Sequence, residues 1–589
     1  MKILFSILFY CLLFPAVMLA QSVGINNNAP HASAILDVQS TTKGFLMPRM
    51  TTLQRTAIAS PAAGLKVFDT DTKTFWFYNG SVWLSITAGT TGWNLTGNTG
   101  TNSTTHFIGT TDEQPLRFRI NNLWAGELHP TSGNIFLGVG AGQTNAAGQA
   151  NTAIGEYALF TNTDGNFNAA SGYYALTANT NGYNNTAHGA YALYNNTLGV
   201  SNTAVGRNAL FGNINGAFNT AVGTDALLTN TGSYNTANGY KAAYFNTSGS
   251  FNTATGSWAL YSNVGGLNNT ANGYKALNQN LNGLSNTASG KEALYYNNEG
   301  NNNTAMGSDA LHNNTNGSFN TANGNNALYN NNTGRDNTGI GNNALANNFA
   351  GNFNASIGSS ALMNNQNGSN NTAIGSFALS SNTNGSNNTA LGYAADVNTL
   401  VFNSTAIGSG AIINASNKVR IGNSSVTVIE GQVAYSFPSD ARFKYNIKEN
   451  VPGLDFIKKL TPVTYYFDNQ KLDSYTKTGI LNNSISVHDS GNSEISLHTG
   501  FLAQDVEKVA SELGYEFDGI HTPVNDKDHY SLAYSQFVMP LVKAIQEQQA
   551  MIEALKNKLE LQEKRLAALE TKNKIDRSIK FIYKNKATK

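Results

Sequence analysis

The sequence almost lacks cysteine: one in 589 residues, Cys11, inside an apolar N-terminal stretch. Disulfides and cysteine-based metal sites are thereby excluded from the rest of the chain. Charge is scarce as well. Asp, Glu, Lys and Arg make up 12%, about half the usual globular share. The net charge of +1 gives no electrostatic case for nucleic acid or an anionic membrane as a partner. The nine histidines are scattered without metal-ligand spacing, so no metal and no other cofactor is expected. The apolar run at residues 3–19 is short for a bilayer span. With Lys2 before it and Ala20-Gln21 after it, the run has the form of an export signal cleaved after residue 20. This predicts a secreted or cell-surface protein with no membrane span once the signal is removed.

What the chain has instead is Asn, Thr and Gly at fixed intervals, a regularity that disorder does not require. The unit reads N-T-A-x-G-x-x-A-L-x-x-N-x-x-G-x-x. Gly155, Gly172, Gly189, Gly206 and Gly223 lie 17 residues apart. After one unit a residue shorter, the series resumes at Gly239, continues to Gly392 and ends near Gly408. Ala-Leu follows three residues after most of these glycines, as in Ala158-Leu159 and Ala361-Leu362. Such a unit fits one coil of a β-solenoid spanning 138–412, which buries little alone and needs neighbours stacked on both sides. Ala and Leu are expected to form the inner column, and Asn and Thr to form ladders along the stack. Some sixteen coils at about 4.8 Å would make a rod roughly 75–80 Å long. The pattern loosely resembles the β-roll heads of trimeric autotransporter adhesins, in architecture only. One Leu per turn leaves each chain little private core, which favours association of three chains.

The flanks differ in composition. Residues 21–90 read as a small β module, with Asn79-Gly80 as a hairpin turn between 72–78 and 81–86. The stretches NAPHASAILDVQSTTKGFLMPRMT and GLKVFDTDTKTFWFYNGSVW resemble a leader module of secreted surface proteins from Bacteroidetes-type bacteria. A β-rich linker is expected over 91–137 and a β neck with two short strands over 413–438. Ordinary globular composition returns over 439–540. From 541 to 572, Ile545, Ile552, Leu559 and Leu566 recur every seven residues, with Leu555 and Leu569 at the partner position, which predicts a coiled coil. The Lys-rich end, 573–589, reads as a solvated tail.

Three blocks, SDARFKYNIKENVPGLDFIKKLTPVTYYF, GFLAQDVEKV and YSQFVMPLVKAIQEQ, resemble in that order the intramolecular chaperone domain of phage endosialidases and tail spikes. The resemblance implies a homotrimer whose chaperone helps an intertwined β-fibre fold and, in many members, then cuts itself off. It implies Ser439 and Lys444 as the catalytic pair and a cut between Pro438 and Ser439. The chemistry is sound, since a hydroxyl becomes a nucleophile when a neighbouring base takes its proton. Lys can be that base when desolvation lowers its pKa. Spacing alone does not join the pair. Five residues is about 140° around a helix and opposite faces of a strand, so a tight turn or the trimer has to bring them together. A polar insertion at 478–499 departs from the family pattern.

The expectation is therefore a mainly β fibre with a C-terminal α+β chaperone ending in a coiled coil. It would be a trimeric, adhesin-like protein that binds a surface glycan or cell-surface receptor and carries a single-turnover Ser-Lys peptidase. Two alternatives stay open: a glycan-degrading, tail-spike-like enzyme fibre, and a non-cleaving trimerisation cap on a structural fibre. The first would need convergent carboxylates. The acidic residues of the array, such as Glu156, Asp225 and Asp336, fall in different repeats.

Overall fold

The computed structural model describes residues 22–86, 92–476 and 496–587. The expected export segment and most of the 478–499 insertion lie outside these residues. The chain divides into two compact units, Met1–Gly109 and Thr110–Lys589.

The first unit holds a four-stranded sheet of Arg49–Met50, Lys66–Asp69, Thr74–Tyr78 and Trp83–Ile86. The last two strands form the expected antiparallel hairpin. Gly80 takes φ +101°, and Asn79 Oδ1 accepts from the N–H groups of Ser81 and Val82. A short helix, Thr52–Thr56, opens on a capping box from Thr51 and Gln54. This helix carries Arg55 into the interior, where its Nε lies 2.9 Å from Asp69 and its guanidinium 3.7 Å from the Trp76 ring. Burial alone would raise the Asp69 pKa. Hydrogen bonds from Arg55, Thr52 and two backbone amides outweigh burial and hold the carboxyl well below its usual range.

The second unit is built on the repeat. Fifteen consecutive three-residue strands, Thr152–Ile154 to Thr389–Leu391, pair in parallel, each aligned with the equivalent residues one repeat on. The middle residue of each strand, usually Ala, points inward and is fully buried, as are Ala158-Leu159 and their equivalents. Two asparagine columns complete the interior. In one, the Asn168 N–H donates to Asn151 Oδ1 (2.9 Å) and Asn168 Nδ2 to Gly182 O (2.9 Å). In the other, Asn179 Nδ2 donates to Asn162 Oδ1 (2.7 Å) and to Gly182 O (2.9 Å). Each buried amide is thus paired within the stack, which removes the cost of burying it. Among the described residues, Ser132 Oγ and Asn382 Oδ1 are the buried side-chain atoms without a partner. Asn382 is the last of its column before the coil rearranges.

The corners explain the two glycine columns. Gly155 sits at φ +126°, and a Cβ there would meet Gly172 O at 2.7 Å. At Gly165 a Cβ would lie 2.4 Å from Gly182 O and from the Asn162 amide. Three further positions per coil are left-handed without being glycine, as at Tyr157 (54°), Leu159 (52°) and Phe167 (57°). That conformation costs about 1–2 kcal/mol per residue. Here each N–H is held by a neighbouring coil: Tyr157 by Val139 O, Leu159 by Ala175 O and Phe167 by Gln149 O. Stacking therefore dictates a backbone that no single coil would keep. The short unit loses its residue in the second corner. Asn230 Nδ2 reaches Gly232 O two positions on, where Asn213 reaches Gly216 O three positions on, so the ladders pass through unbroken.

Larger side chains plug the ends. Phe136 occupies the position held by Ala153 one coil on and is 1% exposed. Trp124, from the antiparallel pair Leu116–Ile120 and Leu123–Leu128, packs against the solenoid core and donates Nε1–H to Ala141 O (2.7 Å). Within the region expected as a linker, residues 116–137 thus form the capping end of the solenoid. At the other end Arg420 replaces the inward Ala and donates to Ile412 O and Gly422 O.

The C-terminal domain packs Phe456, Val506, Ala510, Phe517 and Phe537 into a core. Strands Val463–Tyr466 and Leu497–Gly500 pair antiparallel. A helix of 49 residues, Val538–Lys586, follows. It anchors to the domain through Pro540 and Ala544, both buried, and through Glu547, which accepts the Leu454 N–H at 2.8 Å. Two expectations need correction. The neck forms one strand, Val419–Ile421; among the described residues the second strand candidate has no neighbour to pair with. The Lys-rich end is not a separate tail, because the helix runs on to Lys586, carried by residues of good helix propensity.

Candidate functional site

Ser439 and Lys444 flank a short 3-10 turn, Ala441–Phe443. Asp440 caps it, accepting the Arg442 N–H at 2.9 Å, and clamps the Arg442 guanidinium at 2.9 and 2.6 Å. The Arg442 hydrogen bonds hold the Asp440 pKa below its usual value, and Asp440 raises that of Arg442. After this turn Lys444 returns to extended backbone (φ −102°, ψ 131°) while its N–H bonds Ala441 O. The reversal folds residue 444 back over residue 439. Lys444 Nζ lies 2.6 Å from Ser439 Oγ, as donor to acceptor. A nucleophile and a base in hydrogen-bond contact is the arrangement this chemistry needs. Asp440 and Arg442, to which the sequence assigned no role, are the pair that locks the turn.

The site is open. Ser439 and Lys444 are exposed, and the apolar neighbours Phe437, Phe443 and Tyr445 are 87%, 79% and 92% exposed. No backbone hydrogen bond joins residues 427–438 to the rest of the chain among the described residues.

Residues 439–515 match the family model for the chaperone of endosialidase. The match begins at Ser439 itself. Residues 24–104 match a phage tail like trimerisation region. The stretch that resembles a surface-protein leader therefore matches a trimerising element, which its hairpin and composition do not announce. Among curated proteins, none matches the chain. With a β-solenoid between a trimerisation region and an endosialidase-type chaperone, the chain has the make-up of a homotrimeric fibre.

Two other clusters emerge only from the fold. At the solenoid's end, Asp528 accepts from Lys418 Nζ (3.1 Å) and contacts His521 Nε2 (2.7 Å), and Asn414 exchanges hydrogen bonds with Lys527 O and Asn525. Burial alone would raise the Asp528 pKa, but hydrogen bonds from His521, Lys418 and the backbone amides of His529 and Val524 bring it down to about 2. This clamp joins the last coil to the chaperone domain. Its partners are over 100 residues apart in sequence, which is why no spacing pattern revealed it. On the solenoid's flank, Glu292, Asp309 and His312 bring ligand atoms within 4.8 Å of one another, because residues 17 apart stack. Lys275 and Lys291 lie 4.0 and 3.9 Å from the Glu292 carboxylate, so ion pairing accounts for the cluster.

Proposed function

We propose that the chain is an exported, homotrimeric surface fibre whose C-terminal chaperone releases itself by one autoproteolytic cut between Pro438 and Ser439. The observation that carries this reading is the 2.6 Å contact between Lys444 Nζ and Ser439 Oγ, at the first residue of the chaperone match. In the reaction, neutral Lys444 takes the Ser439 hydroxyl proton and Oγ attacks the Pro438 carbonyl carbon. The C–N bond breaks, and Lys444 returns the proton to the leaving Ser439 amine. The resulting ester between Pro438 and Ser439 Oγ is hydrolysed by water, which gives a Pro438 carboxylate and restores the hydroxyl. Lys444 must be desolvated to be neutral near pH 7. In one chain it is exposed, so neighbouring copies have to cover Phe437, Phe443 and Tyr445 and thereby make the site competent. Cutting is then coupled to assembly, and losing the chaperone leaves a fibre without its folding aid, hence kinetically stable.

The heptads of Val538–Lys586 join the three copies as a coiled coil, with Ile545, Ile552, Leu555 and Leu559, all exposed in one chain, turned inward. The released fibre acts by binding, to a surface glycan or a cell-surface receptor. Denaturing intact-mass measurement tests the cut. The expected result is a C-terminal fragment of roughly 16–18 kDa out of 62.8 kDa that begins with Ser439 and is absent from Ser439→Ala. A single uncut species in both proteins would remove the peptidase and leave a permanent trimerisation cap.

A further inference from the structure

The outward residue at the end of each strand forms a column along the solenoid, because every strand aligns with its neighbour one repeat on. Over the first coils the column is mostly polar, and Asn238, Thr255, Asn272 and Ser289 succeed one another in register. Apolar members there are single or paired, such as Val205, Val222 and Met306. From Ile340 onward the character changes. Ile340, Ile357, Ile374, Leu391, Ile407 and Ile421 align in six consecutive coils, each 36–47% exposed. A continuous exposed aliphatic column on a sheet face marks a contact surface.

We infer that this column is where three copies of the chain meet, so that the last six coils pack face to face around the trimer axis while the polar coils beyond them stand apart. The inference rests on the homotrimer already proposed. Three features favour a copy of the same chain as the occupant. The column ends at Ile421, 18 residues before the chaperone match begins at residue 439, so it is continuous with the assembling domain. That domain is fixed to the same end of the solenoid through Lys418 and Asp528. Three chaperones gathered about one axis therefore bring the same coils of three chains opposite one another in register. Finally, the unbroken run of apolar members lies in the coils nearest that domain, whereas those farther away, such as Ile154, Val205, Val222 and Met306, are interrupted by polar residues. Each coil then supplies one aliphatic side chain to a layer of three, repeated about every 4.8 Å, a shared core for coils that have little of their own.

Cysteine cross-linking tests this directly, because Cys11 is the one native thiol. In full-length chain carrying Cys11→Ser and Ser439→Ala, single cysteines are placed at Ile374 and, in the same column, at Asn272. The proteins are oxidised and run without reductant, and native mass is measured on the same samples. The expected result is a trimeric native mass for both variants, with disulfide-linked pairs at position 374 and few at 272. A trimer that does not link through position 374 would overturn the inference and leave the homotrimer standing. Equal linking at both positions would overturn its restriction to the last coils. A monomeric mass would remove the homotrimer itself.

Discussion

Replacing Asn280 by leucine keeps the side chain's size and removes its amide. Asn280 is fully buried. Its Nδ2 donates to Asn263 Oδ1 (2.8 Å) and Gly283 O (2.9 Å), and its Oδ1 accepts from Asn297 Nδ2 (2.7 Å). Gly283 O keeps a second donor, Asn269 Nδ2 at 2.8 Å, whereas Asn263 Oδ1 and one N–H of Asn297 lose their partners. Two orphaned buried groups cost about 1–3 kcal/mol each, and the lost bond to Gly283 about 1 kcal/mol. Burying the leucine returns about 1–2 kcal/mol, which leaves a net loss of about 4 kcal/mol. Each coil contacts only its neighbours, so the loss should stay local. Hydrogen exchange on the full chain should show amides of residues 263–300 losing about a thousandfold in protection, at 1.4 kcal/mol per tenfold, with distant coils unchanged. Asn316→Leu, on an exposed corner, should change protection less than about threefold. Equal behaviour of the two variants would refute the asparagine ladder as the source of the solenoid's stability.

Other perturbations reach different parts of the chain. Asp396 is buried, which raises its pKa to about 7 despite hydrogen bonds from Ser381, Val397 and Ser380. Its unfolded value is near 3.8, so stability falls as pH rises from about 4 to 7, by up to about 4 kcal/mol. Asp396→Asn should therefore match the parent near pH 4 and melt higher at pH 8; an equal melting temperature at pH 8 would contradict this. Lys444→Gln should abolish the cut as fully as Ser439→Ala, with native mass unchanged, as read by intact mass; residual cutting would take the base role from Lys444. Asp528→Ala removes the carboxylate shared by Lys418 and His521, leaving Lys418 Nζ its bond to Asn414 Oδ1 (3.1 Å), and should cost about 2–3 kcal/mol at the junction, seen as faster exchange over residues 412–421 and 520–532. Unaltered exchange in both segments would show that the clamp does not hold the domain to the last coil.

The solenoid was legible because stacking writes its demands into every repeat. Gly155 and Gly165 recur where a Cβ would strike the next coil, and Ala153, Ala158 and Leu159 recur where the interior is narrow. The left-handed backbone at Tyr157, Leu159 and Phe167 was not legible, since hydrogen bonds from adjacent coils impose it and the side chains carry no trace of it. The Ser439–Lys444 pair was visible through family resemblance, yet spacing argued against their meeting. The Asp440–Arg442 clamp that folds Lys444 back became apparent only in three dimensions. Contacts between distant segments, such as Lys418 with Asp528 and Glu292 with His312, leave no local pattern to read. The apolar column from Ile340 to Ile421 is present in the sequence once per repeat, but its meaning depends on the register that aligns those residues.

In the proposed scheme, three copies assemble through the chaperone before it departs. Native mass spectrometry of full-length Ser439→Ala, which retains the chaperone, tests it most directly. A species of three copies is predicted, falling to single chains when Leu555→Asp places a charge in the helical seam. A monomer in the Ser439→Ala protein, or a trimer indifferent to Leu555→Asp, would contradict it.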